Sequence, residues 1–340
     1  MRTFAAYTRK ARDVLYGVKP FECPQHLRAN HKLLSGEGEQ QLTESLKQNY
    51  FTYSTYFPDY VESYLSTEHG QVDLKDHLLH RLTRNRKKVI PWIDSVVRIA
   101  GKRVLEIGCG TGSSTVALVE QGAEVLASDV HEGSLRVAED RLQTYELKAQ
   151  LMCLNATETF KQLDGRSFDM VVFFAVLEHM TLEERLESLQ SAWAMLPSGG
   201  LLVVHETPNR LWYFDDHTAL EHFFLWLPDD LAIRYARRTS REEYRALFTN
   251  VDYRNPSTRL DFARWGRGVS YHDFVLAIDI QPAELPVVSC LELFLREKTK
   301  TSHLHRNTTE RQYEELLHSM SPEVHRGFYL KYLDVILRKP

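Results

Sequence analysis

From Lys102 onward the chain changes character. The apolar pentapeptide RVLEI (103–107) runs directly into Gly108-Cys109-Gly110-Thr111-Gly112, and the stretch SSTVALVEQG continues as a helix. No other segment limits the possible folds as strongly. Glycines at a strand-to-helix turn permit positive φ and let a ligand touch the backbone. The helix that follows aims its free N–H groups at whatever sits there. In open α/β sheets this crevice, at the carboxyl ends of the strands, is where ligands bind. A second strand, EVLASD, ends on Asp129, 21 residues after Gly108, placed to accept hydrogen bonds from a ribose diol. The spacing is G-x-G-x-G, whereas a dinucleotide fingerprint needs G-x-G-x-x-G, and the position three past Gly110 is Ser113. Glu106, two residues before the first glycine, repels a pyrophosphate and suits a cationic ligand. The loop therefore favours a nucleoside with a positive, non-phosphate tail. A nicotinamide-dependent oxidoreductase is the remote alternative.

Further strands follow at regular intervals: AQLMCLN (149–155), FDMVVFFA (168–175) and LLVVHE (201–206). The fourth is apolar almost throughout, as a strand covered on both faces should be. Helical stretches separate the strands, among them the amphipathic TLEERLESLQSAWAML (181–196), which Pro197 and Gly199-Gly200 end. Strands alternating with helices imply a parallel sheet with right-handed crossovers. After Glu206 the alternation breaks. Residues 207–235 read as irregular and aromatic, 239–249 as a helix capped by the Ser240/Glu243 pattern, and VSYHDFVLAIDI (269–280) as a strand. A helical stretch near 306–328 precedes YLKYLDVILRKP, a final strand. Residues 1–97 read as mostly helical.

The ordered set of segments resembles the class I S-adenosylmethionine-dependent methyltransferases. It comprises Glu106-Ile-Gly108-Cys109-Gly110-Thr-Gly112, Asp129, Asn155-Ala156, Phe168-Asp169 through Leu177-Glu178-His179-Met180, and Leu196-Pro197-Ser198-Gly199-Gly200. The resemblance covers residues ~80–206 well and the rest weakly; Asn155 stands where many relatives carry Asp. It implies a Rossmann-like, seven-stranded α/β sheet, mostly parallel with an antiparallel last strand. It also implies S-adenosyl-L-methionine as cofactor. Glu106 and the Gly108–Cys109–Gly110–Gly112 backbone would then hold the methionine part, Asp129 the ribose, and Val130, Asn155 and Ala156 the adenine. Phe174 would line the methionine side or serve as plain strand core. Tyr53, with Tyr50 and Tyr56, forms either a lid over the sulfonium by cation–π contact or ordinary core.

Methyl transfer from a sulfonium is an in-line displacement in which the protein mainly aligns donor and acceptor. An oxygen acceptor also needs its proton removed, usually by His, Asp or Glu. The base should project from the carboxyl end of strand four or five, or from the insertion that follows. Asp216-His217 as an oriented pair is the first expectation, with His179 and Glu206 as further catalytic candidates. Alternation along strand five points either His205 or Glu206 at the cleft. Arg210, Tyr213, His222 and His205 are expected to contact the acceptor. His217 and His222, five apart, lack helical metal-ligand spacing, so no metal is expected. The cluster Arg81/Arg84/Arg86/Lys87/Lys88 reads as a solvated helix face, or else meets an anionic acceptor.

Composition narrows the class. Lys+Arg 42 against Asp+Glu 46 leaves a net charge of −4, which argues against a general nucleic-acid or acidic-membrane binder. The longest apolar run, Met170 to Leu177, is eight residues, far short of the ~20 that span a bilayer. The basic N-terminus lacks an apolar core segment, so no secretory signal is expected. Four scattered cysteines without CxxC spacing fit a reducing cytoplasm. The expected organisation is a helical cap over 1–97 and a methyltransferase domain over 98–340, with acceptor-side insertions at about 207–268 and 281–328. The expected reaction is O-methylation of a small-molecule or glycan hydroxyl. An N-methyltransferase and a non-catalytic nucleoside-binding regulator are the alternatives.

Overall fold

The computed structural model describes residues 21–52, 61–299 and 308–340. Five apolar segments become strands β1 (Arg103–Ile107), β2 (Glu124–Asp129), β3 (Gln150–Cys153), β4 (Met170–Phe174) and β5 (Leu201–Pro208). Two later ones become β6 (Val287–Cys290) and β7 (Tyr332–Arg338). Their order across the sheet is β3-β2-β1-β4-β5-β7-β6. β1 through β5 pair in parallel, and β7 runs antiparallel to both its neighbours. This is the expected Rossmann-like sheet with an antiparallel last strand. Its strand order reverses at β1 and β4, which sets a crevice at their carboxyl ends.

Alternation along each strand builds two cores. Leu105, Val171, Phe173, Leu202, Val204 and Val335 feed one layer. Val104, Met170, Val172, Leu201, Val203 and Ile336 feed the other. Each such side chain contributes about 1.5–3 kcal/mol on burial. The chain after β5 keeps a small core of its own, including Phe224, Ile233, Tyr244, Phe248 and Phe262. That segment therefore folds as a packed addition beside the sheet.

The late chain departs from the sequence expectation in three places. Residues 269–280 are not a strand: Tyr271–Ile278 is a helix. Ser270 and Asp273 form a reciprocal cap at its start, and Asp279 ends it at φ 54°. The sixth strand lies instead at Val287–Cys290, inside the segment expected to be an insertion. The additions therefore occupy 209–286 and 291–331. The helix expected over 239–249 is confined to Glu242–Leu247, with Arg241 at its start. Ser240 does not cap it, because its hydroxyl donates to Glu221 at 2.6 Å. Near the C-terminus a helix covers Thr308–Met320 and a short 3-10 turn Arg326–Tyr329.

The described N-terminal residues are helical, and a run over 68–96 contains two π-type stretches, Asp76–His80 and Asn85–Val89. Arg141, fully buried, ties this run to the glycine loop. Its guanidinium donates to the carbonyls of Thr111 (2.7 Å), His77 (2.7 Å) and Leu78 (3.1 Å). Burial pulls its pKa down to about 10, which leaves it charged at neutral pH. No helix among the described residues is long and apolar enough to cross a membrane.

Candidate active site

The loop leaving β1 is built around three glycines at positive φ. Two are demanded by packing. A Cβ at Gly108 would meet Val176 at 2.7 Å, and one at Gly112 would meet Ala138 at 2.9 Å. Gly110 faces open space, with nothing within 4 Å of such a Cβ. Asp129 pins the loop: its carboxylate accepts from the N–H of Gly110 (2.8 Å) and of His131 (2.9 Å). Burial nevertheless leaves its pKa raised.

Glu106 is placed otherwise than expected. It is fully buried beneath the loop, accepting from the hydroxyls of Ser114 and, at 2.6 Å, Thr115. Burial outweighs those bonds and pushes its pKa up to about 7. Neither Glu106 nor Gly112 is among the residues that line the cavities in front of the loop. Both shape it from behind.

Two cavities meet at the loop. The first, about 440 Å³, is walled by Gly108, Cys109, Gly110, Asp129, Phe174, His205 and Glu206. The second, about 360 Å³, is walled by Asn155, Ala156, Met180 and Arg264. Gly108, Asp129, Val130, Val176 and His179 border both. Val130, 69% exposed, is an apolar side chain left standing at that junction. Asn155 caps the helix Ala156–Gln162, its side-chain oxygen accepting from Glu158 N–H at 2.8 Å, so its amide NH2 remains for a ligand. Burial pushes the Cys109 thiol well up, so it stays protonated. Tyr53 and Tyr56 lie outside the described residues. Tyr50 does border the first cavity, together with Arg81 and Arg84. Those two arginines therefore do not sit on a purely solvated face, whereas Arg86 is spent on Glu120 at 2.6 Å.

The expected Asp216–His217 pair does not form. Asp216 accepts from Tyr332 Oη at 3.1 Å and pairs with Lys331, because its carboxylate points toward β7. His217 lies in a third cavity of about 340 Å³, with Tyr50, Tyr64, Arg241 and Trp265. Burial, then the charges of His179 and Arg241, lower its pKa to about 4.

A different oriented histidine stands in the first cavity. β5 bulges between Val204 and Thr207 where it pairs with β7, and Glu206 takes φ 58°. The bulge brings both His205 and Glu206 to the cavity, where strict alternation allowed only one. Asp334 of β7 sits opposite. One of its oxygens accepts from His205 Nδ1 at 2.6 Å and from Glu206 N–H at 2.7 Å. A carboxylate only accepts, so in the neutral ring the proton is on Nδ1 and Nε2 keeps its lone pair. Burial alone would lower the His205 pKa; the charge and hydrogen bond of Asp334 outweigh it and raise it. Phe174 meets the same ring edge-on at 5.4 Å. Asp334 was missed from the sequence, where it reads only as a polar break in YLDVILR.

His179 follows β4 and borders all three cavities. Its Nδ1–H donates to the Arg264 carbonyl at 2.7 Å. The other expected acceptor contacts are displaced. Arg210 pairs loosely with Asp229 at 3.8 Å and lines a separate groove. Tyr213 stacks with His222 at 6.1 Å in and beside a short outer hairpin. None of the three lines the cavities at the glycine loop.

The sequence comparisons agree with this geometry over the sheet's first half. Residues 104–200 match a family model described as a methyltransferase domain. A ubiquinone biosynthesis O-methyltransferase of Azoarcus sp. (strain BH72) is 35% identical over 122 residues, 36% of this chain and 50% of that protein. A protein of the same name from Coxiella burnetii (strain RSA 493 / Nine Mile phase I) is 29% identical over 152 residues, covering 44% and 62%. The chain spans about half the length of the first of these. Among solved structures, magnesium protoporphyrin IX methyltransferase from Synechocystis PCC 6803 with bound SAM aligns at 20% identity. It covers 50% of this chain and 76% of that one, with a TM-score of 0.35.

Proposed function

We propose that this chain, whose residues 104–200 match a methyltransferase-domain model, uses S-adenosyl-L-methionine to methylate a hydroxyl of a small molecule or glycan. The observation that carries the reading is the open face of Gly110, held by Asp129 against a cavity to which the loop itself contributes no Lys or Arg. The residues present fit that cofactor. The Gly108–Gly110 backbone takes the methionine part and Asp129 the ribose diol. Val130 and the free amide of Asn155 take the adenine, and Ala156 completes that wall. Glu106 and Gly112 support the loop from behind. When bound, the cofactor supplies a methyl group on a sulfonium, whose thioether leaves without an acid.

His205 is the proposed base. Its Nε2 takes the acceptor's hydroxyl proton while Asp334 holds Nδ1–H and steadies the imidazolium. Glu206 and His179 border the acceptor beside it. Arg81 and Arg84 in the same wall favour an acceptor with negative charge. The O-methyltransferase names of the curated relatives favour oxygen over nitrogen. The residues of 1–97 that reach the cavity act as its cap and the additions after β5 as its acceptor side. The four unpaired cysteines fit a cytoplasmic enzyme, and the small net charge fits an acceptor that is not a nucleic acid.

Calorimetry tests the cofactor. S-adenosylhomocysteine should bind with one site per chain; binding of NADH instead overturns the reading. A labelled-methyl screen over hydroxylated metabolites, nucleotide sugars and glycans then identifies the acceptor.

A further inference from the structure

Three donors converge beside the third cavity, which His179 and His217 line. Glu178, His179 and His217 each present one ligand atom, all within 4.8 Å of one another. Glu178 is fully buried after β4, and its Oε1 has no hydrogen-bond partner. Leaving a buried carboxylate oxygen unpaired is costly, and a cation from outside the chain would relieve that cost. His179 Nε2 stands 3.9 Å from that oxygen.

The far side of every donor is already anchored. Glu178 Oε2 accepts from Thr207 Oγ1 at 3.4 Å. His179 donates Nδ1–H to the Arg264 carbonyl at 2.7 Å. Thr218 Oγ1 donates to the Gly266 carbonyl at 3.2 Å, so at 3.2 Å it accepts from His217 Nδ1–H. Both imidazoles are thus fixed in the tautomer that leaves the Nε2 lone pair free, as metal-ligating histidines usually are. Gly266, at φ +118°, makes room for the His217 ring: a Cβ there would lie 3.0 Å from its Cε1 and Nδ1. The neighbouring cations are each engaged with other acceptors: Arg81, which shares the third cavity, pairs with Asp76 at 2.9 Å, and Arg264 pairs with Glu184. Arg241 donates to the His217 carbonyl at 2.7 Å, and Arg185 to Leu177, Met180 and Asp273.

We propose that Glu178, His179 and His217 form a binding site for one divalent transition-metal ion. Two imidazoles and one carboxylate suit Zn2+, Mn2+, Fe2+ or Co2+ better than Mg2+ or Ca2+, which favour all-oxygen shells. Metal–ligand bonds of about 2.0–2.2 Å put tetrahedral ligands roughly 3.3 Å apart. Three protein donors leave positions open toward the cavity, where an oxygen-bearing ligand can enter. The inference rests on this donor set and not on the methyl-transfer reading. On that reading, the ion would lie on the acceptor's side of His179.

Cobalt is the probe, because its visible absorption reports imidazole and carboxylate ligation directly. The full chain, stripped with EDTA, should bind one equivalent of Co2+ and develop a ligand-field band that excess Zn2+ abolishes. His217→Ala and Glu178→Gln should each weaken Co2+ binding by roughly tenfold or more. His222→Ala, in the outer hairpin, should leave it unchanged. Circular dichroism identifies any variant that fails to fold. His217, on the half-buried side of the site, supplies the decisive variant if Glu178→Gln is lost. Absence of stoichiometric Co2+ binding, or binding that His217→Ala does not weaken, overturns the site. Co2+ binding without S-adenosylhomocysteine binding overturns the cofactor reading and leaves the site standing.

Discussion

The two sides of the crevice are assembled differently. On the nucleoside side, β1, its loop and the end of β2 supply Gly108, Gly110, Asp129 and Val130 within some twenty residues of chain. On the acceptor side, His205 depends on Asp334, 129 residues away, while His179 and His217 meet through the turn after β4 and the addition after β5. The first wall is set by local backbone geometry: positive φ, a helix start and a carboxylate hydrogen-bonded directly to the loop. The second is set by strand register and by which additions happen to pack there. A local wall tolerates change elsewhere in the fold. A wall built from distant segments moves whenever one of them slips.

Substitutions that separate the two walls probe this contrast. The largest effect is expected at His205. His205→Ala should lower kcat by roughly 10²–10⁴-fold while calorimetric affinity for S-adenosylhomocysteine stays within a few-fold; a parallel loss of both merges the two walls into one. Asp129→Ala should do the reverse. Losing its bonds to Gly110 and His131 and to the ribose should cost roughly 100-fold in cofactor affinity, and full retained affinity removes the ribose assignment. Asp334→Asn is subtler. Because Asp334 raises the His205 pKa above its ordinary 6.5, kcat/KM should climb with pH through a midpoint above that value. With Asn the midpoint should fall and the plateau drop by roughly 10–100-fold; an unmoved midpoint excludes the pair. The same pair stabilises the fold below pH 6.5, and that contribution fades as pH rises through the raised pKa. The smallest effect is expected at Tyr213→Ala, where kcat and cofactor affinity should both change less than about twofold, because its ring packs on Trp212, His222 and Tyr313 away from both walls.

That contrast also divides what could be read before the fold was seen. The first five strands, the glycine loop, Asp129 and the antiparallel last strand were all legible, because each signal is contained within a short window. Asp334 was not, because its meaning comes from the β5 bulge that faces it, and a bulge depends on pairing across the sheet. His217 was read with its neighbour Asp216, whereas a turn sends the two side chains apart, one toward Tyr332 and the other toward His179. The helix Tyr271–Ile278 is a different failure. Its apolar residues Tyr271, Phe274, Val275 and Ile278 do follow helical spacing, and Ser270 and Asp273 are a capping pair. Dense β-branched and aromatic content masked both signals.

Arg141 carries a consequence for how the molecule breathes. Its one guanidinium closes carbonyls of the glycine loop and of the π-type stretch at 76–80. Opening either segment strands a buried charge and breaks bonds to the other. The amides on both sides should therefore exchange with solvent as one cooperative unit, at the same opening free energy. Residues 76–80 and the glycine loop, distant in sequence, should then share a single local unfolding event.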